Sequence, residues 1–367
     1  ASHAGRPALI GAIAGGDGVP VLIDGWSRFV GRFGAGNDRF RLAVRGFFAN
    51  GGGWCFVVPV PERVDAATLT AALAALVDED DVSLIIAPGV VDPTLQALLV
   101  AHCDALADRF AVLDVPEPSL LNAATAVAEA QAHATALRQA TGSANVALYA
   151  PWLKMVTDDG PVFVPPSGHV AGVYARFAEK RGVHHAPANE PLADVVDLRI
   201  DFDDDALATL YPPLALDETG RIADPSVNLI RALPARGLRV WGARTLSAET
   251  RWRSIAVRRL VIDIERWLTR RLDGMVFEVN DVRLRSRVIR EVGARLDELY
   301  LAGALVGAVS ELAWSIQCDE TNNPADVRLA GLLVADIEIA PAVPGEYITL
   351  RLIHRSGTDG STQTLTS

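Results

Sequence analysis

Pro165-Pro-Ser-Gly-His169 sets a serine and a histidine two residues apart, the pair that hydrolysis would use as nucleophile and base. The segment lacks the GxSxG pattern of a strand-to-helix nucleophile elbow. Residues this close cannot both turn inward without a third group to orient them. His184-His185 could bind a metal only with ligands from elsewhere, because adjacent side chains diverge on a helix and on a strand alike, so a surface or packing role is expected. Gly15-Gly-Asp-Gly18 and Gly51-Gly-Gly53 give neither GxGxxG nor GxxxxGKS/T, and Lys154 and Lys180 are the only lysines, so no nucleotide cradle and no cofactor is expected. Asp201, Asp203, Asp204 and Asp205 lack the spacing of a calcium loop and read as a solvated acidic loop. Cys55, Cys103 and Cys318 are odd in number and in no CxxC pair, which points to neither a disulfide framework nor a zinc site and to a reducing compartment. No catalytic residue and no metal ligand is assigned.

Composition narrows the partners. The 367 residues are 50% hydrophobic and 22% charged, an ordinary globular balance with material for a sizeable core. A net charge of −11 disfavours phosphate backbones and anionic lipid, no apolar run is long enough to cross a membrane, and no signal peptide is visible at the start. Neither nucleic acid nor membrane is expected as a partner.

The elements that would position any site fall into three stretches. Up to residue 150, short apolar runs (54–60, 82–87, 110–114, 146–149) alternate with helical patterns (65–77, 92–108, 119–140), which predicts a parallel α/β sheet. From 157 to 247, clusters of Pro, Gly and Asp predict an irregular, surface-exposed region. Apolar residues three and four apart then predict helices over 249–272 and 281–300, with Gly274 and Gly303 as their stops. Two strand-like runs follow, Leu329 to Ile339 and Tyr347 to His354. The second alternates poorly and leads into a polar, flexible end.

Charge is segregated along this order. Between 251 and 296, twelve arginines stand against six acids, a local +6 that leaves −17 for the rest of the chain. Two readings are open: the arginines pair internally with acidic loops, or the basic helices dock an acidic protein partner.

From about residue 39 to 353 the sequence resembles the contractile tail sheath proteins of phages and of phage-derived extracellular injection systems. Matching segments include Val44-Arg-Gly-Phe-Phe-Ala-Asn-Gly-Gly52, Arg109-Phe-Ala-Val-Leu-Asp114, Tyr149-Ala-Pro-Trp152 and Val164-Pro-Pro-Ser-Gly-His-Val-Ala-Gly-Val-Tyr-Ala-Arg176. Further on come Arg181-Gly-Val-His-His-Ala-Pro-Ala-Asn189, Gly237-Leu-Arg-Val-Trp-Gly-Ala-Arg-Thr-Leu246, Val276-Phe-Glu-Val-Asn280 and Cys318-Asp-Glu320. It is their joint order along the chain that is specific.

The resemblance implies an α/β protein with a subtilisin-like core that lacks a catalytic triad, followed by an α+β C-terminal sheath domain with exchanged β-strands. It implies a non-enzymatic building block that stacks as hexameric rings around an inner tube and contracts to drive the tube into a target. The implied partners are further copies of the chain, the inner tube protein, and baseplate and cap proteins. Assembly would be cytoplasmic, in a phage tail or a tail-like particle open to release. The domains expected are 1–244 for the N-terminal and subtilisin-like part, 245–345 for the tube-facing part, and 346–367 for an arm exchanged with a neighbour. Sheath proteins usually carry an extended N-terminal arm, and larger members carry outer insertions; here Pro7 to Ala14 starts almost at once and the chain is short for a sheath, so a compact particle surface is expected. Arg251, Arg258, Arg270, Arg285 and Arg287 are the candidate tube contacts, with Arg259 and Arg266 as structural cations. Tyr347, Ile348, Thr349, Leu350, Arg351 and Leu352 are the candidate interlocking strand. A baseplate or cap component on the same fold, and an α/β hydrolase or nucleotide-binding enzyme, are the alternatives.

Overall fold

A computed structural model describes residues 6–141, 144–272, 278–342, 348–355 and 362–366. The chain divides into two compact units, Ala1–Arg259 and Leu260–Ser367.

The first unit is built on eight strands: β1 (Pro7–Ala12), β2 (Val21–Ile23), β3 (Cys55–Val60), β4 (Leu84–Ile86), β5 (Phe110–Asp114), β6 (Val146–Ala150), β10 (Asn228–Leu233) and β11 (Gly237–Trp241). They lie in the order β11-β10-β6-β5-β4-β1-β3-β2. The six strands from β10 to β3 run parallel, and β11 and β2 close the two edges antiparallel. Every residue of β3, β4, β5 and β6 is buried, as a parallel sheet covered on both faces requires of Cys-Phe-Val-Val-Pro-Val and Phe-Ala-Val-Leu-Asp. The helices α1 (Trp26–Phe33), α2 (Arg39–Ala49), α3 (Ala66–Ala74), α4 (Pro93–Leu106), α5 (Ala123–Thr141), α6 (Ser167–Arg181) and α7 (Asp204–Leu210) belong to the same unit. Their starts are written in sequence: Asp38, Asp65, Asp92 and Asp203 each accept backbone N–H groups of the following turn, and Pro93 opens α4 where an N–H would go unused. β7 (Leu153–Thr157), β8 (Gly160–Val164) and β9 (Asp197–Leu198) form a small separate sheet.

The stretch 157–247 is mostly irregular, as expected, between 182 and 227, but not throughout. It contains α6, whose Ser167 to Tyr174 are all buried, as well as β10 and β11. Gly168 and Gly172 misled the sequence reading, because these two mark close packing rather than turns. A Cβ on Gly168 would lie 2.4 Å from the carbonyl oxygen of Ala43, and one on Gly172 would lie 2.3 Å from that of Phe47, so α6 meets α2 backbone against backbone.

α8 (Ile255–Leu272) begins in the first unit and ends in the second, which continues with α9 (Val282–Leu301), α10 (Ser310–Ala313) and α11 (Ala325–Leu329). Asp281 caps α9, and Gly303 follows it at φ 76°, a left-handed position suited to a helix stop. The predicted stop at Gly274 lies outside the described residues. An antiparallel sheet in the order β12-β13-β14-β15 completes the unit, from β12 (Trp314–Gln317), β13 (Leu332–Ile339), β14 (Ile348–Arg355) and β15 (Thr362–Thr366). The end expected to be flexible contains β15, which pairs with β14 from His354–Thr362 to Leu350–Thr366.

Candidate functional site

The serine and histidine of 165–169 open α6 and face different neighbours. Ser167 donates its hydroxyl to Oδ2 of Asp114 at 2.7 Å and its backbone N–H to Oδ1 at 2.8 Å, and Gly89 donates its N–H to Oδ2 at 3.0 Å. Asp114 ends β5, so the strand delivers the carboxylate and the helix start delivers two donors to it. Burial pushes the Asp114 carboxyl up to about 6, against the pull of those three donors. His169 instead lies on α2 over Gly46, whose added Cβ would come within 2.4 Å of three ring atoms. Ser167 and His169 are both 0% exposed. This cluster is a helix anchor with no approach for a substrate.

His184 and His185 do not diverge. Gly182, at φ 88°, leads into a turn that is neither helical nor extended, and the two rings sit 4.3 Å apart. Among the described residues, no group of three His, Cys, Asp or Glu could hold a metal ion, and no helix is long and apolar enough to cross a membrane.

The arginines of 251–296 separate by burial. Arg258 is buried, donates from Nε to Oδ1 of Asn145 at 2.6 Å and stacks on Trp252. Arg259 is buried over the ring of Tyr174, and Arg266 is buried as well. Arg285, 4% exposed, donates to Oδ1 of Asn280, whose amide in turn reaches Asn323 and the carbonyl of Leu332. Arg258 and Arg285 thus serve the interior of their own units. Arg251 is half-buried, pairs with Glu249 at 2.8 Å and lies over Trp252. Arg270 is exposed in the last turn of α8.

Arg287 is half-buried in a ladder along the second unit. It reaches Glu278 at 2.7 Å and Glu291 at 3.1 Å, while Arg271 meets the other oxygen of Glu291 at 2.7 Å. Burial opposes ionisation of Glu291, but the two guanidinium groups hold its carboxyl below the usual range. Arg295 bridges Asp263 and Glu298 at 3.1 and 3.2 Å. Arg283 and Arg290, absent from the expected set, are exposed and line, with Arg287, Val279 and Val282, a shallow groove of about 670 Å³ at the start of α9. The helical phase carried this signal. At 100° per residue, Leu284, Val288, Val292 and Leu296 put position 285 inside the apolar arc and positions 283 and 290 opposite it.

β14 alternates strictly, contrary to expectation, with Ile348, Leu350, Leu352 and His354 buried and Thr349, Arg351 and Ile353 turned outward. Ile353 is the apolar residue that blurred the pattern. Arg351 forms a two-pronged pair with Asp336 of β13 at 2.6 and 3.1 Å. In this chain β14 pairs with β13 over its full length, from Leu332–Arg355 to Ile339–Ile348. Tyr347 lies outside the described residues.

Comparison with known proteins places this architecture. The family described as phage tail sheath protein central domain matches residues 62–246. The tail sheath protein of Salmonella phage ViI is 27% identical over 193 residues, covering 51% of this chain and 28% of that protein. The match thus spans little more than a quarter of the curated relative. Among solved structures, the PVC sheath complex of an extracellular contractile injection system in its contracted state aligns with a TM-score of 0.77 at 27% identity, over 94% of this chain and 90% of that one. The six-fold symmetrised baseplate of the anti-feeding prophage aligns with a TM-score of 0.76 at 27% identity, over 94% and 91%. The whole fold thus overlays on a contractile injection system sheath, and this chain belongs to the phage tail sheath protein family.

Proposed function

We propose that this protein is the repeating, non-enzymatic subunit of a contractile sheath: copies stack as six-fold rings around an inner tube, are held extended, and contract to drive the tube into a target. The observation that carries this reading is the near-complete overlay on a sheath subunit from a contracted particle, at a TM-score of 0.77 over 94% of the chain. Further copies, baseplate and cap proteins and the inner tube are the partners; nucleic acid and membrane are not. Assembly is cytoplasmic, within a phage tail or a releasable tail-like particle.

Three finer assignments belong to this reading. The first unit is a subtilisin-like core without a working triad, a view supported by Ser167 at the start of a buried helix whose hydroxyl is committed to Asp114. The arm 346–367 is exchanged with a neighbouring subunit, a view that draws on the outermost place of β15 in the described sheet, although in this chain β14 pairs with its own β13. The tube-facing part lies within 245–345, and its contact is made by Arg270 in the exposed last turn of α8 and by the start of α9, where Arg287 lines one groove with Arg283 and Arg290.

Exposed ion pairs contribute only about 0.2–1 kcal/mol each, so tube attachment should be collective and salt-sensitive, able to hold before firing and to release during it. The test is co-assembly with the cognate tube, imaged in negative stain. Wild type should decorate tubes with sheath, and Arg270→Glu/Arg287→Glu/Arg290→Glu should still fold but lose decoration at physiological salt. Normal decoration by the triple variant overturns the tube contact, and a stable monomer from wild type at high concentration overturns the sheath reading.

A further inference from the structure

Arg244 and Arg253, both in the first unit, converge on one oxygen. Each donates to the carbonyl of Pro212, Arg244 from Nη1 and Arg253 from Nη2, the latter at 3.4 Å. Two guanidinium groups that share an acceptor are necessarily neighbours, and their like charges repel unless something negative stands beside them. Among the described residues no carboxylate pairs with either. In the same unit Arg45, Arg176, Arg231 and Arg251 each have an acidic oxygen within 3.2 Å.

The backbone fixes the two side by side. Asn228, 0% exposed at the start of β10, accepts the N–H of Arg244 at 2.8 Å and donates to its carbonyl at 2.8 Å. Thr245 donates its N–H to the carbonyl of Arg253 at 2.9 Å and its hydroxyl to that of Trp252 at 2.6 Å, which ties the two arginine-bearing segments together. Tyr211, just past α7, forms the floor, with the Arg244 guanidinium 3.6 Å from the centre of its ring. Gly242, at φ 133°, leaves room for that floor, because a Cβ there would lie 3.0 Å from the Tyr211 ring and 2.7 Å from Oδ1 of Asn228.

A guanidinium carries five N–H donors, and each of these two gives only one to the chain, at Pro212. Nε of Arg253 is buried with no acceptor. Burial, with the charge of Arg253 added, makes Arg244 harder to protonate than an ordinary arginine, against the pull of Tyr211. A half-buried pair of cations with most donors unused lacks what an oxyanion supplies: negative charge and several acceptors at once. One carboxylate would balance a single charge, whereas a tetrahedral dianion balances both and offers oxygens to each planar fork. We propose that Arg244 and Arg253 form an oxyanion site that takes a phosphate group, free or as a monoester, over the ring of Tyr211.

Calorimetric titration of the full chain with inorganic phosphate, at an ionic strength held constant with chloride, tests the site. Wild type should bind phosphate saturably and acetate about tenfold more weakly, since acetate lacks the second charge. Arg244→Met and Arg253→Met should each weaken phosphate binding about tenfold or more, the cost of losing hydrogen bonds to a charged group. Arg63→Met, which removes a surface cation paired with Asp65, should leave it unchanged. Equal binding of glycerol 2-phosphate identifies a phosphoryl monoester as the ligand, and binding of inorganic phosphate alone identifies the free ion; either supports the site. No saturable phosphate binding by wild type, unchanged binding in either arginine variant of the site, or acetate bound as tightly as phosphate overturns it. If those variants do not fold, nitrogen NMR of wild type decides: side-chain N–H signals of Arg244 and Arg253 that shift and saturate together as phosphate is added support the site, and signals that stay in place overturn it.

Discussion

Asp114 shows how one buried carboxylate can look catalytic and yet hold structure. Its three donors fix the start of α6 against the end of β5, and Ser167 spends its hydroxyl there. Losing that hydroxyl removes one hydrogen bond to a buried acid, so Ser167→Ala should cost about 1.5–3 kcal/mol in chemical denaturation. The pH dependence has a definite sign. Because the folded Asp114 value is raised to about 6, its contribution is complete below the ordinary value of 3.8 and fades as pH rises through 6. Relative to Asp114→Asn, which does not titrate, wild type should lose about 2 kcal/mol of stability between pH 4.5 and 7.5. A difference that stays flat with pH, measured by urea melts of both proteins, would show that the three donors outweigh burial.

The elements differ in how readably the sequence wrote them. The parallel strands and the helices between them follow runs and caps that announce themselves: Phe110-Ala-Val-Leu-Asp114 is the observed strand, and Asp92-Pro93 opens α4. What was hidden is α6, because Gly168 and Gly172 act through contact with a distant helix and single-sequence rules read glycine as a break. β15 was hidden too, since Thr362–Thr366 becomes a strand only by pairing with β14. Of the candidate arginines, Arg258 and Arg285 go inside their units, and the burial of Arg285 was readable from helical phase. The anchoring of Ser167 by Asp114, 53 residues away, was not. The C-terminal sheet gives a graded truncation test. Removing 362–367 takes away only the outer strand, and the second unit should keep its fold. Removing 346–367 also takes away Ile348, Leu350 and Leu352, all 1% exposed or less, and uncovers β13. At about 1.5–3 kcal/mol per buried side chain, that loss should unfold the isolated sheet unless a neighbour supplies a strand. Circular dichroism melts of both truncations check this, and a cooperative, unshifted melt for the longer deletion would contradict it.

At the scale of the whole molecule, the sheath reading proposed above predicts that the work of contraction comes from the packing of subunits. Contraction should proceed without ATP and should not reverse, because the extended form would be kinetically trapped above a more stable contracted one. Extended particles triggered by mild denaturant in nucleotide-free buffer should shorten fully, and a requirement for added ATP would rule this source of work out. The backbone contact between α2 and α6 has a mechanical consequence for such a machine. Where two helices touch through glycine, with carbonyl oxygens 2.3 and 2.4 Å from where a side chain would begin, no flexible side chains lie between them to yield. The pair behaves as a welded strut with little compliance, so on the proposed sheath reading a thrust reaching α2 would pass to α6 as displacement rather than be dissipated as strain between them.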